Sequence, residues 1–467
     1  MSRDVGGGGR PDMTTDPRDV IANSSMSRLQ VFVVAITVAL NALDGFDVLS
    51  ISFASPGIAE EWGIDRAALG IVLSMELIGM AIGAIALGGV ADRIGRRPTI
   101  LGCLSVMAVG MFMATTVSGL GDLSAWRIVT GLGIGGMLAA INAVAAEFSN
   151  TRRRHLSVSL MSIGYPVGAV VGGLVAAWLL RGNDWRAVFY FGSAVTATLI
   201  PIVFFVVPES IHWLARKQPT GALDRINVAL RRMGHLAVTA LPAIPSNLQT
   251  RSVAHIFAPG LVAVTTIVTV AYFFHVTTFY FIAKWIPKIV VDLGFAPATA
   301  AGVLVWMNVG GATGGAVFGI LTQRFNVKPL TIGLFLLSTV TVTLFGRSPA
   351  DLTRLSFICA LAGFCTNAGI VGLYAIFAQA FPTHVRAFGT GFAIGVGRGG
   401  AVLAPIIAGF LFAAGYSLPT VAFVMALGSL LAAAVLAMLR LEPDRSTSSG
   451  EHRLMNPAHV PVPGSAR

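Results

Sequence analysis

Charged residues are scarce in this sequence. Asp, Glu, Lys and Arg make up 11% of its 467 residues, whereas hydrophobic residues make up 55%. An ordinary soluble domain has about 25% charged residues, and the mean hydropathy of this chain is +0.78. The composition therefore excludes a typical soluble or disordered protein and predicts a polytopic membrane protein.

Cysteine is also rare, and motifs for chemistry are absent. Cys103, Cys359 and Cys365 lie within apolar segments, without paired spacing or nearby His ligands, which argues against a disulfide framework or a zinc site. Metal, nucleotide and nucleophile motifs are missing, so we expect neither a cofactor nor enzyme activity. A cleaved signal peptide is not predicted either.

Long apolar runs dominate the rest. A spanning helix needs about 20 mostly apolar residues, and twelve such runs begin near Gln30, Arg66, Pro98, Asp122, Leu156, Ala187, Pro259, Thr299, Leu330, Thr353, Thr383 and Pro419. They predict an all-α polytopic membrane protein with twelve transmembrane helices in two pseudo-symmetric six-helix bundles. The expected division is a disordered tail over 1–29, a bundle over 30–208, a basic linker over 209–258, a bundle over 259–440 and a disordered tail over 441–467.

Positive charge indicates the orientation. The net charge is +11 and the pI about 10.3, and Lys and Arg concentrate on one side: before the first run, in alternate loops, in the linker and after the last run. Short cytoplasmic loops collect these residues, so we expect both termini in the cytoplasm of a bacterium and the chain in its inner membrane. The dispersed charges favour contact with anionic lipid over nucleic acid.

A charged turn between the second and third runs predicts a gate. It reads Gly88-Gly-Val-Ala-Asp92-Arg-Ile-Gly95-Arg96-Arg97-Pro98, in which glycines allow tight turns and Asp92 can cap or pair at a neighbouring helix end. A degraded copy follows in the second half, with Gln323 in place of the acid. Parallel halves of this kind place a substrate site between them near the midplane.

Acidic residues inside the first run predict proton coupling. Asn41, Asp44 and Asp47 lie along one helix face, and intramembrane ionisable groups are functional candidates by default. Two neighbouring carboxylates in a low dielectric raise each other's proton affinity, so the pair is suited to carry protons. The alternative is structural: one acid caps a break at Gly45 or pairs permanently with an arginine.

These motifs give the chain a family resemblance. The turn is similar to the loop between helices 2 and 3 of the major facilitator superfamily, and Asp44-Gly-Phe-Asp47 resembles the aromatic acid:proton symporters within it. Further matches are Arg127 through Gly136 with Glu147, Pro208-Glu209-Ser210, Trp285-Ile-Pro287, and Phe381 through Arg386 to Arg398. Ala140 in place of a usual Pro, and the intramembrane Glu76, depart from the family pattern. We treat Glu76 as a third proton-coupling candidate.

The resemblance implies import of a small aromatic carboxylate, such as a benzoate or hydroxybenzoate, together with a proton by a monomeric carrier. Such a carrier needs a cation for the carboxylate, and we favour Arg398, which lies among glycines. The alternative is a salt bridge from Arg398 to Asp47 or Glu76. Arg127 is expected to face the outer cavity, to polarise the acids of the first run and to be a substrate contact.

The remaining candidates follow from position. We expect Glu147 to join the gate near Arg93 or Arg96, and Arg386 to serve as a gate or headgroup anchor. Further polar or aromatic side chains are candidate substrate contacts: Asn41, Asn142, Tyr165, His275, Tyr280, Asn308, Asn367 and Tyr374. His275 is also a possible proton carrier because imidazole titrates near neutrality.

Two other transport functions compete with this interpretation. Gly164 through Gly173 approaches an antiporter pattern but has Ala169 in place of its Pro, which weakens the case for proton-driven efflux. Import of another small organic anion, such as a dicarboxylate, a muconate-type acid or a sugar acid, would use the same Arg and Asp chemistry. A membrane enzyme or a receptor would need a catalytic constellation or a long ligand-binding domain, and the sequence has neither.

Overall fold

The structure, a computed structural model, describes residues 16–243, 257, 258, 261–382 and 385–439. These residues form helices and no strands. Twelve of the helices are long: α2 Arg28–Trp62, α3 Arg66–Gly88, α5 Arg96–Met113, α6 Leu120–Glu147, α7 Arg154–Leu179, α8 Arg186–Val206, α11 Val262–Asp292, α12 Pro297–Leu321, α13 Val327–Gly346, α14 Leu352–Ala380, α15 Arg386–Ala413 and α16 Leu418–Ala437. Four are short: α1 Pro17–Asn23, α4 Val90–Ile94, α9 Ile211–Lys217 and α10 Ala222–Arg232.

The long helices confirm the predicted fold class. Each begins within three residues of its expected start, and 11 helices of the described part are long and apolar enough to span a membrane. The twelfth long helix is α5, whose 18 residues begin with Arg96 and Arg97.

The two halves repeat the same helix pairings. In the first half α2 packs on α7, α3 on α6 and α5 on α8; in the second half the corresponding pairs are α11 with α15, α12 with α14 and α13 with α16. Several pairs approach through glycine: a Cβ at Gly168 would lie 1.8 Å from Ala42 O, and one at Gly310 would lie 1.8 Å from Ala360 O. Small residues allow such close packing of membrane helices, and the repeated pairings give the two bundles their pseudo-symmetry.

The ends of the described chain lie on one side of the molecule, which we call the terminal side; the opposite side is the far side. Thr151 N, in the loop after α6, donates to Ala22 O in the last turn of α1, and Lys328 Nζ donates to Ala437 O at the end of α16 (both 3.0 Å). Each half crosses the molecule six times, so each begins and ends on the terminal side.

Part of the predicted N-terminal tail is ordered. The expectation of disorder over 1–29 is wrong for α1, which is capped by Asp16, and for Arg28 and Leu29, which belong to α2. Ile21 is only 1% exposed, because α1 packs against α9. A single apolar anchor on a short helix is enough for this docking, which the polar composition of the segment hides. Residues 1–15 and the predicted tail over 441–467 lie outside the described residues.

The halves meet mainly in the far-side part of the molecule. Arg66 Nη2 pairs with Asp292 Oδ2 at 2.9 Å, and Ser74 Oγ donates to Val402 O at 2.7 Å. Gly70 lies so close to α15 that a Cβ there would come within 2.4 Å of Pro405 O. Within the described chain, the hydrogen bonds and ion pairs between the halves lie at mid-depth or beyond it. The interface is therefore closed on the far side.

Candidate functional site

Ionisable side chains from both halves lie in the interior. The first half contributes Asp44 and Asp47 of α2, Glu76 of α3 and Arg127 of α6, and the second half contributes Lys284 of α11 and Arg398 of α15. All except Arg398 are at most 2% exposed. Because isolated charges are costly inside a membrane, a set of three acids and three bases indicates a functional centre.

The two aspartates on α2 are buried without hydrogen-bond partners. Asp44 is 2% exposed and Asp47 0% exposed, and none of their four carboxylate oxygens accepts a hydrogen bond from a described residue. Helix α2 continues without a break through Gly45, so neither acid caps a break there. The nearby charges include Arg398 for Asp44 and Arg127 for Asp47. Both carboxyls are therefore buried without a described donor that would compensate for the loss of water.

Glu76 is held by two cations. Its Oε2 contacts Arg127 Nη2, and Lys284 Nζ lies 3.7 Å from the same oxygen. Arg127 also donates to Asp47 O at 3.0 Å and lies over the ring of Phe189. All three charged side chains are 0% exposed. The placement of Arg127 toward the first-run acids agrees with its predicted position, but it lies in the protein interior and not in an open cavity.

Arg398 lies at mid-depth on α15 and is partly exposed. Among the described residues its guanidinium has no hydrogen bond or ion pair, so the alternative salt bridge to Asp47 or Glu76 is not formed in this structure. Its charge acts on Asp44 and on the hydroxyls of Tyr272 and Tyr280. An unpaired guanidinium near the midplane is able to bind a carboxylate through two parallel hydrogen bonds.

Tyrosine hydroxyls surround this cation. Tyr272 and Tyr374 approach to 3.3 Å through their hydroxyl oxygens, and their rings stack with centroids 6.1 Å apart. Tyr165 of the first half interacts with Tyr280 of the second. These four are among the six tyrosines of the chain. The ring-binding candidates Tyr165, Tyr280 and Tyr374 are thus brought together with Arg398, and Tyr272 joins them.

Several other predicted contacts lie in helix packing. Asn41 Nδ2 donates to Met161 O at 2.8 Å, and Asn367 Nδ2 donates to Gly311 O at 2.6 Å. Asn142 and Asn308 donate to carbonyls four residues earlier in their own helices. His275 is 0% exposed in the second bundle, where its ring nitrogens bond Ser429 Oγ at 2.9 Å and Thr366 O at 2.8 Å. These contacts already use the polar groups of Asn41, Asn367 and His275.

The predicted gate residues form a network on the terminal side. Arg96 pairs with Asp92 Oδ1 at 2.8 Å and with Glu147 Oε1 at 3.1 Å. Ser210 Oγ donates to Glu147 Oε2 at 2.5 Å, and Trp213 Nε1 donates to Asp92 O at 3.1 Å. The sequence offered either Arg93 or Arg96 as the neighbour of Glu147, and the structure pairs it with Arg96. The turn after α3 is thereby fastened to the linker helix α9.

Glu209 completes the network under the turn at Gly95. Its Oε1 accepts from the backbone N–H groups of Arg96 at 2.8 Å, Ser210 at 2.9 Å and Arg97 at 3.4 Å. Burial raises the pKa of Glu209, while these hydrogen bonds act in the opposite direction. Gly95 has φ +112°, and a Cβ there would lie 2.2 Å from Glu209 Oε2, so this position requires glycine.

Of the remaining gate candidates, Arg97 contacts this network only through its backbone N–H group, and Gly88 and Arg386 have no described contact with it. Gly88 ends α3, and a Cβ there would meet nothing within 4 Å. Arg97 donates to Phe204 O and lies over the Phe204 ring, and Arg386 is exposed with its Nε donating to Phe381 O at 3.2 Å. Arg97 and Arg386 thus stabilise helix ends on the terminal side.

Lys284 is the functional candidate that sequence reasoning missed. The sequence places Trp285-Ile-Pro287 after the seventh helix, so Lys284 is expected at the end of that helix. Helix α11 continues to Asp292, which places the lysine inside the spanning segment. The rule that flags intramembrane charges would have identified it if the helix had been extended by two turns.

Comparison with known proteins gives the family. The Major Facilitator Superfamily profile matches residues 37–282 and 268–463. The gallate transporter of Pseudomonas putida is 28% identical over 92% of this chain and 95% of its own length. The 4-hydroxybenzoate transporter PcaK of Pseudomonas aeruginosa is 29% identical over 91% and 95%, and the 3-(3-hydroxy-phenyl)propionate transporter of Escherichia coli is 29% identical over 84% and 89%.

Solved structures agree on the fold. The inward-open xylose transporter XylE of E. coli superposes with a TM-score of 0.68 at 16% identity and covers 90% of this chain and 98% of its own. A bacterial homologue of the lysosomal transporter Spinster, inward-facing and occupied, gives a TM-score of 0.70 at 14% identity, with 88% and 97% covered. By the profile match, the repeated helix pairings and this shared architecture, the chain belongs to the Major Facilitator Superfamily and is a membrane transporter, not an enzyme.

Proposed function

We propose that this transporter imports a small aromatic carboxylate together with protons by alternating access. The observation that carries the proposal is the unpaired Arg398 guanidinium at mid-depth, whose charge acts on Asp44, Tyr272 and Tyr280. Relatives that align over most of the chain are named as transporters of gallate, 4-hydroxybenzoate and 3-(3-hydroxyphenyl)propionate. The substrates in these names carry a carboxylate and an aromatic ring, which are the groups that an arginine and tyrosines recognise.

The side chains of this region match the chemistry of such a substrate. Arg398 binds the carboxylate bidentately, and the partly exposed ring of Tyr374, which stacks on Tyr272, packs on the substrate ring. Tyrosine hydroxyls of Tyr165 and Tyr280 are available to hydrogen-bond ring substituents. Binding across residues of α7, α11, α14 and α15 draws the two halves together, because Tyr165 belongs to the first half and the others to the second.

The coupling follows from the unpaired aspartates. Burying an ionised carboxylate without a donor is costly, and binding a proton removes this cost. When Asp44 is neutral, Arg398 is left without this negative charge and is able to accept the substrate carboxylate. Release of the proton restores Asp44 as a competitor for Arg398 and favours release of the substrate. Asp47 and Glu76 are the other proposed proton-binding groups, and the charge of Arg127 acts on both of them.

The direction of transport depends on orientation. The terminal side bears the basic linker helices and the arginine-rich turn, so we assign it to the cytoplasm of a bacterial inner membrane. The far side, where Arg66 and Asp292 join the halves, then faces outward, and the structure corresponds to an inward-facing state. A single chain contains both bundles and the complete set of interior charges, so the proposed unit is a monomer.

Uptake in proteoliposomes tests the proposal. Purified protein is reconstituted, and uptake of labelled benzoate, hydroxybenzoate, phenylpropionate and muconate-type acids is measured under an inward proton gradient. We expect accumulation of an aromatic acid that collapses with a protonophore. Transport of non-aromatic acids alone would favour the small-anion importer, and transport only outward would favour the efflux pump.

A further inference from the structure

We propose that Lys284 is an inter-half latch that holds the far side closed by inserting its ammonium group from the second bundle into the acidic centre of the first. Lys284 belongs to α11, while both of its partners belong to the other half: Val48 O on α2, to which Nζ donates, and Glu76 Oε2 on α3 at 3.7 Å. It is the one charged contact between the halves, among those of the described residues, that is 0% exposed on both sides.

The depth of the contact suits a latch. Lys284 is 22 residues into the 31-residue α11, about 33 Å from its terminal-side start at 1.5 Å per residue. Glu76 is ten residues into α3, which begins on the far side, about 15 Å along that helix. The contact therefore lies between the substrate region and the far-side surface, where separation of the halves must open the outward path.

The electrostatics explain why Lys284 holds firmly and why it is able to release. A buried charge that loses its partner is strongly unfavourable, so Lys284 cannot leave Glu76 without another partner or water. Glu76 is already paired with Arg127, which belongs to its own half. Glu76 thus remains neutralised when the halves part, and only the lysine has to find water in the opening cavity. The acid is anchored, and the lysine is the moving member.

Arg66 and Asp292 provide a matched comparison. They also join the halves, at 2.9 Å, but their side chains are 43% and 28% exposed. Exposed ion pairs contribute little because solvent screens them and already solvates the separated partners. The latch function is therefore assigned to the buried lysine and not to the surface pair, although both pairs cross the same interface.

Distance measurements between spin labels test the proposal without any substrate, so its outcome is independent of the transport assay. Labels are attached to Gly121→Cys at the start of α6 and Thr353→Cys at the start of α14, which are exposed on the far side of opposite halves. A Cβ at Gly121 would meet nothing within 4 Å. Pulsed electron resonance in nanodiscs then reports the populations with a closed or an open far side.

We expect Lys284→Met to raise the ratio of open to closed far side at least about tenfold, and Lys284→Arg to restore the closed state. Arg66→Met, the control, should change the ratio by less than about threefold. Should Lys284→Met not fold, Glu76→Gln weakens the same contact from its other side while its amide oxygen still accepts from Arg127. An unchanged distance distribution in a folded variant, or an equal shift in the control, would overturn the latch.

Discussion

The Arg398 charge of the second half acts on the buried Asp44 of the first half, and neither side chain forms a hydrogen bond or ion pair with any residue in the described part of the chain. A buried acid and a cation that influence each other without a closed salt bridge are ready to exchange partners. The acid is able to take a proton, and the cation a substrate carboxylate. The predictions below follow from this pair and from the networks around it.

Neutralising the aspartates of α2 should abolish proton-driven accumulation. Asp44→Asn and Asp47→Asn each remove a proton-binding group, while exchange of labelled for unlabelled substrate across the membrane needs no net proton movement and should persist. Both activities are measured in proteoliposomes with and without an imposed gradient. Asp224→Asn, on the exposed surface of α10, serves as control. Full accumulation by both interior variants would disprove the coupling role.

Replacing Arg398 by lysine should weaken substrate binding while keeping the charge. Lysine lacks the planar fork that binds a carboxylate through two hydrogen bonds, so we expect KM to rise about tenfold or more, which corresponds to ~1.4 kcal/mol. Arg386→Lys, on the terminal side, should leave KM within about twofold. Initial rates over a range of substrate concentrations separate KM from the maximal rate. An Arg398→Lys variant with wild-type KM would assign Arg398 to another role.

The tyrosine hydroxyls should set the preference for ring hydroxyl groups. Tyr165→Phe and Tyr280→Phe each remove one hydrogen-bonding group worth about 1 kcal/mol, so the ratio of hydroxybenzoate to benzoate uptake should fall about fivefold. Tyr190→Phe controls for the loss of a hydroxyl elsewhere, because Tyr190 packs on Phe112 outside the site. A lower rate for both substrates with an unchanged ratio would contradict hydroxyl recognition.

The terminal-side network should control turnover more than binding. Asp92 is 54% exposed in its pair with Arg96, whereas Glu147 is 17% exposed and also accepts from Ser210. We therefore expect Glu147→Gln to slow turnover more than Asp92→Asn, and substrate binding by calorimetry to change less than threefold in both. Loss of binding in a well-folded variant would argue against a gate.

Acidification should destabilise the transporter through His212. Burial lowers the pKa of His212 below its usual 6.5, and the Glu147 charge opposes this only in part. The unfolded chain therefore binds a proton near pH 6.5 that the folded state resists, so this contribution to stability is present above pH 6.5 and is lost as the pH falls toward the folded-state pKa. Thermal melting between pH 7.5 and 5 should show a decline that His212→Gln reduces and His155→Gln, on the surface, does not.

The sequence predicted the helices and pointed to the charged turn of Asp92 and Arg96 because both depend on local signals. Apolar runs longer than a bilayer and basic loops are readable residue by residue, and Asp92 and Arg96 are four residues apart in one turn. The partners of Glu76, Arg127 and Lys284 depend instead on helices that are distant in the chain. His275 is a candidate substrate contact by its position in the chain, but Ser429 and Thr366 occupy its two ring nitrogens.

Glycine packing between α2 and α7 fixes the position of Asp44 and Asp47 relative to α7. A Cβ at Gly45 would lie 2.0 Å from Tyr165 O, next to the Gly168 contact with Ala42. Two backbones in such contact have no room to slide, so Asp44, Asp47 and Tyr165 must keep their mutual spacing through every stage of transport. The first bundle is then expected to move as a rigid body, and the structural changes of transport to occur at the interface between the two bundles. Larger residues at Gly45 or Gly168 would force α2 and α7 apart. They would disturb this movement without altering a charged group.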